Sequence, residues 1–145
     1  MSKYLPYDPG VLPVKNAPYK GDSIEFEVDG IPPVKRMRIS ARNPKNPSYG
    51  DFLRLRNAAI KSMDGRAWYF GPISLSVLLY VPEDDEPNIS VFDYIGGIED
   101  TLDGSSGVHF TYLPVVYEDD CQIVDAKYEK QASDRWHYVV NIKFM

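Results

Sequence analysis

The 145-residue sequence has little cysteine and little histidine, and both shortages narrow the possible chemistry. The single cysteine, Cys121, excludes an intramolecular disulfide and a metal site built from several cysteines, and it fits an intracellular protein. Only His109 and His137 are present, so a nucleophilic triad is poorly supported. Two aspartates directly precede Cys121, and their negative charge predicts a raised thiol pKa and a poor thiolate.

Long apolar runs and nucleotide-binding loops are also missing. No apolar run approaches about 18 residues and no basic-then-apolar leader is present, so we expect neither a membrane span nor a signal peptide, and a cytoplasmic protein. The segment YIGGIED has neither the spacing nor the lysine of a phosphate-binding loop. With 43% hydrophobic and 26% charged residues, the composition is typical of one soluble globular domain with a core of its own.

The charges are divided unequally along the chain. Residues 35–66, the basic segment, contain nine lysines and arginines against two aspartates. Residues 82–125, the acidic segment, contain twelve carboxylates and no lysine or arginine. A basic segment can follow phosphates, whereas an acidic one repels them unless it holds a cation. The alternative is an ordinary solvated surface whose two halves attract each other.

The hydrophobic pattern predicts an α/β (α+β) fold. Residues 1–22 are rich in proline and tyrosine and are interpreted as an N-terminal arm, and residues 23–145 as a single domain. Six segments alternate between strand and helix periodicity in the order strand, helix, strand, helix, strand, strand: residues 23–30, 49–63, 73–81, 87–104, 121–130 and 135–145. We expect a mixed sheet of four to five strands with two main helices, the last two strands forming an antiparallel pair.

The second predicted helix, PNISVFDYIGGIEDTLDG, has two contrasting faces. At about 100° per residue, one arc is apolar and is expected to cover the sheet: Phe92, Ile95, Ile98 and Leu102. The opposite arc is small and acidic: Ser90, Asp93, Gly96, Gly97 and Asp100. Each interior glycine costs about 1 kcal/mol relative to alanine, so a close neighbouring backbone or a ligand is expected there.

Carboxylates are the remaining candidates for catalysis. Asp93 and Asp100 are about two turns apart on the predicted helix, and Asp119 and Asp120 precede a predicted strand. Oxygen ligands suit Mg²⁺ or Mn²⁺, which can orient water and stabilise the charge that develops in phosphodiester cleavage. Acidic helix faces and loops are, however, commonly only solvated.

Two motifs stand out in the second half of the chain: YIGGIEDTLDG at residues 94–104 and YEDDCQIVDAKYEK at residues 117–130. Through these two motifs above all, the sequence from about residue 24 to the C-terminus resembles the RusA family of Holliday-junction resolvases, small endonucleases of phages and prophages. The first matches a Gly-Ile-Glu-Asp-like helix ending, and the second an Asp-Asp-x-Gln-Val-like start of a strand. The strand before "IPP", the helix at 49–63 and the strand at 73–82 precede them in the family's order.

The resemblance implies a small α/β homodimer in which clustered aspartates hold Mg²⁺ between symmetry-related subunits. It also implies that a helix lysine assists cleavage and that basic residues receive the four-way junction. The family's aspartate pair falls on Asp119 and Asp120, and its helix-ending aspartate on Asp100.

Other family positions have changed in this chain. Without gaps, two earlier acidic positions become Ser90 and Phe92, a neighbouring asparagine becomes Asp93, and the lysine becomes Gly96. A second alignment with a two-residue insertion places Asn88 and Ser90 at the acidic positions instead, and it restores neither the first carboxylate nor the lysine. If the protein still cleaves DNA, we expect the Asp93 carboxylate to compensate for the lost acidic groups.

The first hypothesis is therefore that the protein is a RusA-like endonuclease that acts on branched DNA and depends on Mg²⁺ or Mn²⁺. It would be encoded by a phage or prophage in a bacterial host. The changed family positions leave open whether its activity is full, reduced or lost. Its predicted metal ligands are Asp93, Asp100 and Asp120, and its predicted catalytic residues are Asp93, Asp119 and Asp120. The predicted phosphate contacts are Arg36, Arg38, Arg42 and Lys45, which alternatively only solubilise a loop.

Two other hypotheses remain open. A catalytically retired RusA fold would bind branched DNA without cutting it, or would use its acidic segment as a decoy for a basic protein partner. Alternatively, the functional unit is a dimer that exchanges the N-terminal arm.

Overall fold

A computed structural model describes residues 13–34, 49–84, 89–103 and 113–145. The described chain is one α+β domain with a mixed four-stranded sheet and two helices, as predicted. The main elements follow the predicted order: β1 (Ser23–Asp29), α1 (Tyr49–Met63), β2 (Ile73–Pro82), α2 (Val91–Leu102), β3 (Ile123–Ser133) and β4 (His137–Phe144). A short 3-10 helix, Asp120–Gln122, precedes β3.

The sheet has the order β1-β4-β2-β3. Strand β4 is antiparallel to both β1 and β2, while β3 is parallel to β2. The predicted antiparallel pair of the last two strands is therefore wrong. Alternate side chains of β4 are fully buried, as suits a central strand: Tyr138, Val140, Ile142 and Phe144 are each 0% exposed. Strand β3 is exposed along most of its length, as suits an edge strand.

One face of the sheet forms the core with α1 and α2. Alternation in β2 buries every second side chain from Ile73 to Val81, as its sequence predicts. Helix α1 contributes the predicted apolar stripe: Phe52, Leu55, Ala59 and Met63 are all buried. The other sheet face is only partly covered, and there the ring of His137 stacks on Tyr80 with centroids 4.2 Å apart.

Helix α2 presents a different face to the core from the one predicted. Phe92 is 79% exposed, so its assignment to the buried arc is wrong, whereas Ile98 and Leu102 are fully buried as expected. The reason is a backbone contact on the glycine side of the helix. A Cβ on Gly97 would collide with the carbonyl oxygen of Pro33, so the helix is buried on that side. The expectation of a close neighbouring backbone is confirmed at Gly97.

The described part of the N-terminal arm lies against the domain. The amides of Val14 and Lys15 donate to the carbonyl of Gly65 at 2.9 and 3.0 Å, and the amide of Gly21 donates to the carbonyl of Phe144 at 2.6 Å. Residues 1–12 are outside the described part of the chain. Within the described ranges, neither helix has the length and apolar character that crossing a membrane requires.

Replacing Gly97 with alanine should lower stability despite alanine's better helix propensity. The Pro33 carbonyl is backbone and cannot move aside as a side chain can, so we expect a loss of about 1–3 kcal/mol in the free energy of unfolding, measured by urea denaturation. Gly50→Ala in α1 is the matched control, because the nearest atom to its Cβ is the Arg54 guanidinium at 3.7 Å. Equal stability of Gly97→Ala and the parent would contradict the tight contact.

Candidate functional site

Three carboxylates meet where the C-terminal end of α2 approaches the start of β3. Asp100, Asp103 and Asp120 each place an oxygen within 4.8 Å of the other two, and together they can hold a metal ion. We call these three residues the carboxylate cluster. Asp103 is buried at 4% exposure, Asp100 is half-buried and Asp120 is exposed. The cluster therefore has a buried side and an open side.

The end of α2 positions two of the three carboxylates. Asp103 is the C-cap of the helix, and its amide donates to the carbonyl of Glu99 at 3.1 Å. The carbonyl of Leu102 accepts from the amides of Val115 and Val116, both at 3.1 Å. These contacts provide partners for carbonyls that a helix end otherwise leaves without one, and they bring the returning chain against α2.

Tyr117 continues this returning segment beneath the cluster. Its buried hydroxyl donates to the carbonyl of Glu99 at 2.9 Å. Burial raises the pKa of Tyr117 well above its usual range, and the nearby carboxylates, led by Asp103 and including Asp100 and Asp120, raise it further. The phenol therefore stays protonated and keeps its donor role.

The side chain of Gln122 fixes the turn that carries Asp120. Its amide nitrogen donates to the carbonyls of Tyr69 at 2.8 Å and Gly71 at 2.9 Å, just before β2. Its amide oxygen accepts from the backbone amides of Glu118 and Asp119 at 2.9 and 3.0 Å. With four hydrogen bonds, this one side chain ties the turn to the start of the neighbouring strand.

Asp119 caps the short helix instead of joining the cluster. Its Oδ1 accepts from the amide of Cys121 at 2.9 Å, and Gln122 completes a capping box. Hydrogen bonding to Cys121 and to the Asp120 side chain lowers the pKa of Asp119. The Asp119 carboxylate also raises the pKa of the Cys121 thiol, in the predicted direction.

The structure brings together two of the predicted metal ligands and adds one. Asp100 and Asp120 belong to the cluster, whereas Asp93 does not: it lies in the first turn of α2, about 10 Å along the axis from Asp100 at 1.5 Å per residue. Sequence reasoning missed Asp103. Its spacing of three residues from Asp100, which places both on one side of a helix, was the available signal.

The positions at which the sequence departs from the RusA pattern have other structural roles. The Ser90 hydroxyl is the N-cap of α2 and accepts from the amide of Phe92 at 3.2 Å. The Phe92 ring is exposed, and Gly96 is buried. The four predicted phosphate contacts lie outside the described residues: Arg36, Arg38, Arg42 and Lys45. Asn88 and His109 also lie outside them.

No model of a known protein family matches this chain, and no curated protein matches it either. Membership of the RusA family therefore stays a prediction from the sequence motifs.

Replacing Tyr117 with phenylalanine should change how stability depends on alkaline pH. Because the folded-state pKa is raised, the stability that Tyr117 contributes is present below pH 10 and is lost as the unfolded phenol ionises above it. At pH 11 this loss is about 1.4 kcal/mol for a phenol with an ordinary pKa of about 10 in the unfolded chain.

We therefore expect Tyr117→Phe to be less stable than the parent near pH 8 by about 1 kcal/mol, because one hydrogen bond is missing. Between pH 8 and pH 11, its free energy of unfolding in urea denaturation should then fall by about 1.4 kcal/mol less than that of the parent. Tyr19→Phe, which removes an exposed phenol, is the control and should lose as much as the parent. Equal losses for Tyr117→Phe and the parent would contradict the buried phenol.

Proposed function

We propose that this chain is a RusA-like endonuclease that uses Mg²⁺ or Mn²⁺ to cut branched DNA, with Asp100, Asp103 and Asp120 as its metal ligands. The observation that carries the proposal is the convergence of three carboxylates from two separate segments to within 4.8 Å. Carboxylate oxygens are the ligands that hard divalent cations prefer. All three lie within the two motifs that resemble the family, and Asp100 and Asp120 stand at its aspartate positions.

The electrostatics of the cluster support a cation. Asp100 and Asp103 lie at the C-terminal end of α2, where the helix dipole is negative, and the last turn of this helix has no basic residue. Three neighbouring carboxylates also repel one another, and partial burial strengthens this repulsion. A divalent ion would offset both effects, which gives a physical reason for acidic groups to occupy an unfavourable end of a helix.

The roles of the chain's own residues follow from their exposure. Asp103 would bind the ion from the buried side, while Asp120 would bind it from the side that faces solvent and is open to a phosphate. Tyr117 and Gln122 would hold the two segments at a fixed separation through their hydrogen bonds to backbone groups. When bound, Mg²⁺ or Mn²⁺ supplies Lewis acidity toward the phosphodiester and lowers the pKa of a coordinated water.

The start of the basic segment supports DNA as the substrate. The Pro33 carbonyl contacts Gly97 in the middle of α2, and Val34 is buried. The basic segment begins at the next residue, Lys35, and residues 35–48 of it lie outside the described part of the chain. The nine basic residues of this segment can attract phosphates, so DNA as the substrate is supported by the charge of the sequence. We include a homodimer and a cytoplasmic, phage- or prophage-encoded origin in this proposal on the resemblance alone.

A second candidate is a RusA-fold protein that binds without cutting. It is favoured by the position of the missing lysine, because Gly96 is buried and has no side chain to offer. The loss of a cation that meets developing phosphate charge costs roughly 3 kcal/mol of transition-state stabilisation. The bound molecule would then be branched DNA, held by the basic segment, or a basic protein held by the acidic segment.

Cleavage of four-way and flapped DNA in Mg²⁺ or Mn²⁺ tests the first proposal. Asp103→Asn and Asp120→Asn should reduce cleavage by about a hundredfold or more, since each removes a charged ligand. Asp93→Asn lies on the same helix outside the cluster and should cut like the parent. Calorimetry with Mn²⁺ should show the same order of variants, independent of DNA.

The outcomes separate the candidates. Salt-dependent binding of branched DNA without cleavage would support the DNA-binding candidate, and capture of a basic partner without DNA binding would support the protein-binding one. Cleavage that persists in Asp103→Asn and Asp120→Asn would overturn the assignment of the metal ligands. Loss of activity in Asp93→Asn and Asp120→Asn, with Asp103→Asn still active, would return the site to the residues predicted from the sequence: Asp93, Asp100 and Asp120.

A further inference from the structure

Phe70 is an exposed aromatic residue in the loop between α1 and β2. It is 69% exposed, whereas the ring of the preceding Tyr69 packs on Phe144 with centroids 5.0 Å apart, and the Tyr69 hydroxyl donates to the carbonyl of Met145 at 2.7 Å. The two neighbouring rings therefore differ: Tyr69 is used within the domain, and Phe70 is open to solvent. Single exposed apolar residues are common, and Phe70 is distinguished by where its backbone is held.

The backbone on both sides of Phe70 is attached to the turn of the carboxylate cluster. The side-chain amide of Gln122 donates to the carbonyl of Tyr69 at 2.8 Å and to that of Gly71 at 2.9 Å. Gln122 belongs to the same short 3-10 helix as Asp120, which is the exposed member of the cluster. One side chain thus holds the loop of Phe70 in a fixed position relative to the turn that carries Asp120.

The charges near this turn favour a neutral ring over a phosphate as the partner of Phe70. Residues 67–126 contain no lysine or arginine, and Glu118, Asp119 and Asp120 are exposed. These carboxylates repel phosphates where no cation is bound, whereas a nucleobase is neutral and presents a flat π-face. A phosphate held by the proposed metal would bring bases of the same strand to this surface, because successive nucleotides of a strand are only about 3.4 Å apart along a duplex.

We propose that Phe70 stacks on an unpaired base of the DNA strand whose phosphate lies at the carboxylate cluster. This inference rests on the proposed function and narrows its substrate class. In fully paired DNA both faces of a base are covered by its neighbours in the stack, so the ring finds no free face. Flapped DNA has single-stranded nucleotides at the branch, and their bases can stack on a protein aromatic. Phe70 therefore selects branched DNA with unpaired bases over a fully paired four-way junction.

Flapped DNA with 2-aminopurine at the first unpaired position tests the stacking, because a stacked ring quenches the fluorescence of this base. Rapid mixing in Mg²⁺ records the fluorescence before strand cleavage proceeds. The parent and Phe70→Trp should quench it, whereas Phe70→Ala and Phe70→Leu should not, because neither has a ring face. The dissociation constant of Phe70→Ala should be about five- to a hundredfold above that of the parent on flapped DNA and unchanged on a fully paired duplex.

Phe92→Ala is the matched control for the loss of an exposed ring. Phe92 is 79% exposed and lies in the first turn of α2, roughly 16 Å along the axis from Asp103 at 1.5 Å per residue. This variant should bind and quench like the parent. Calorimetry with Mn²⁺ should give Phe70→Ala the affinity of the parent, which separates loss of a base contact from damage to the cluster.

The results distinguish this inference from the proposed function. Quenching that requires Phe70, without strand cleavage, would support the base contact and overturn the endonuclease. Flapped DNA bound and cut by Phe70→Ala as by the parent would overturn the base contact and leave the endonuclease. Equal weakening on flapped and fully paired DNA would overturn the selection of unpaired bases. A parent that binds no DNA would overturn both and leave the exposed ring to a protein partner.

Discussion

The carbonyl of Leu102 accepts two backbone hydrogen bonds, from Val115 and Val116, and the position of the carboxylate cluster depends on this contact. It brings the chain back across the end of α2 before β3 begins. The next residue, Tyr117, reaches the carbonyl of Glu99, one turn earlier in the helix. The Asp119–Gln122 turn is then attached to the start of β2 through the side chain of Gln122. Asp120 is thus located by backbone groups of α2 and of the chain leading into β2.

Two carboxylates of the cluster lie at the C-terminal end of α2, which is the negative end of the helix dipole. The first turn of α2 already has Asp93, where a carboxylate is stabilised by the positive end of the helix dipole. Asp100 and Asp103 lie instead near the negative end of the helix dipole, and burial of Asp103 adds a desolvation cost. The contrast between the two ends of one helix makes Asp93 the residue with the simpler structural explanation.

Much of the fold was predictable from sequence, since strong periodicity identified α1, β1 and β2 and the order of all six main elements. The pairing of β3 and β4 was not, because adjacency along the chain favours a hairpin. The residues themselves contained the distinction: β4 alternates large apolar side chains, whereas β3 has charges on both faces, as edge strands do. Phe92 was misplaced because helical phase alone cannot show the Pro33 backbone that turns the glycine side of α2 inward.

The candidate site was half predictable for a related reason. Asp100 and Asp120 stand at aspartate positions of the family pattern, whereas Asp103 matches none of these positions and gains its place from the C-cap geometry. This difference also bears on assembly. The resemblance implies a metal held between two subunits, yet here three carboxylates converge within one chain. An intrachain cluster of three carboxylates can bind a cation without a residue from a second subunit.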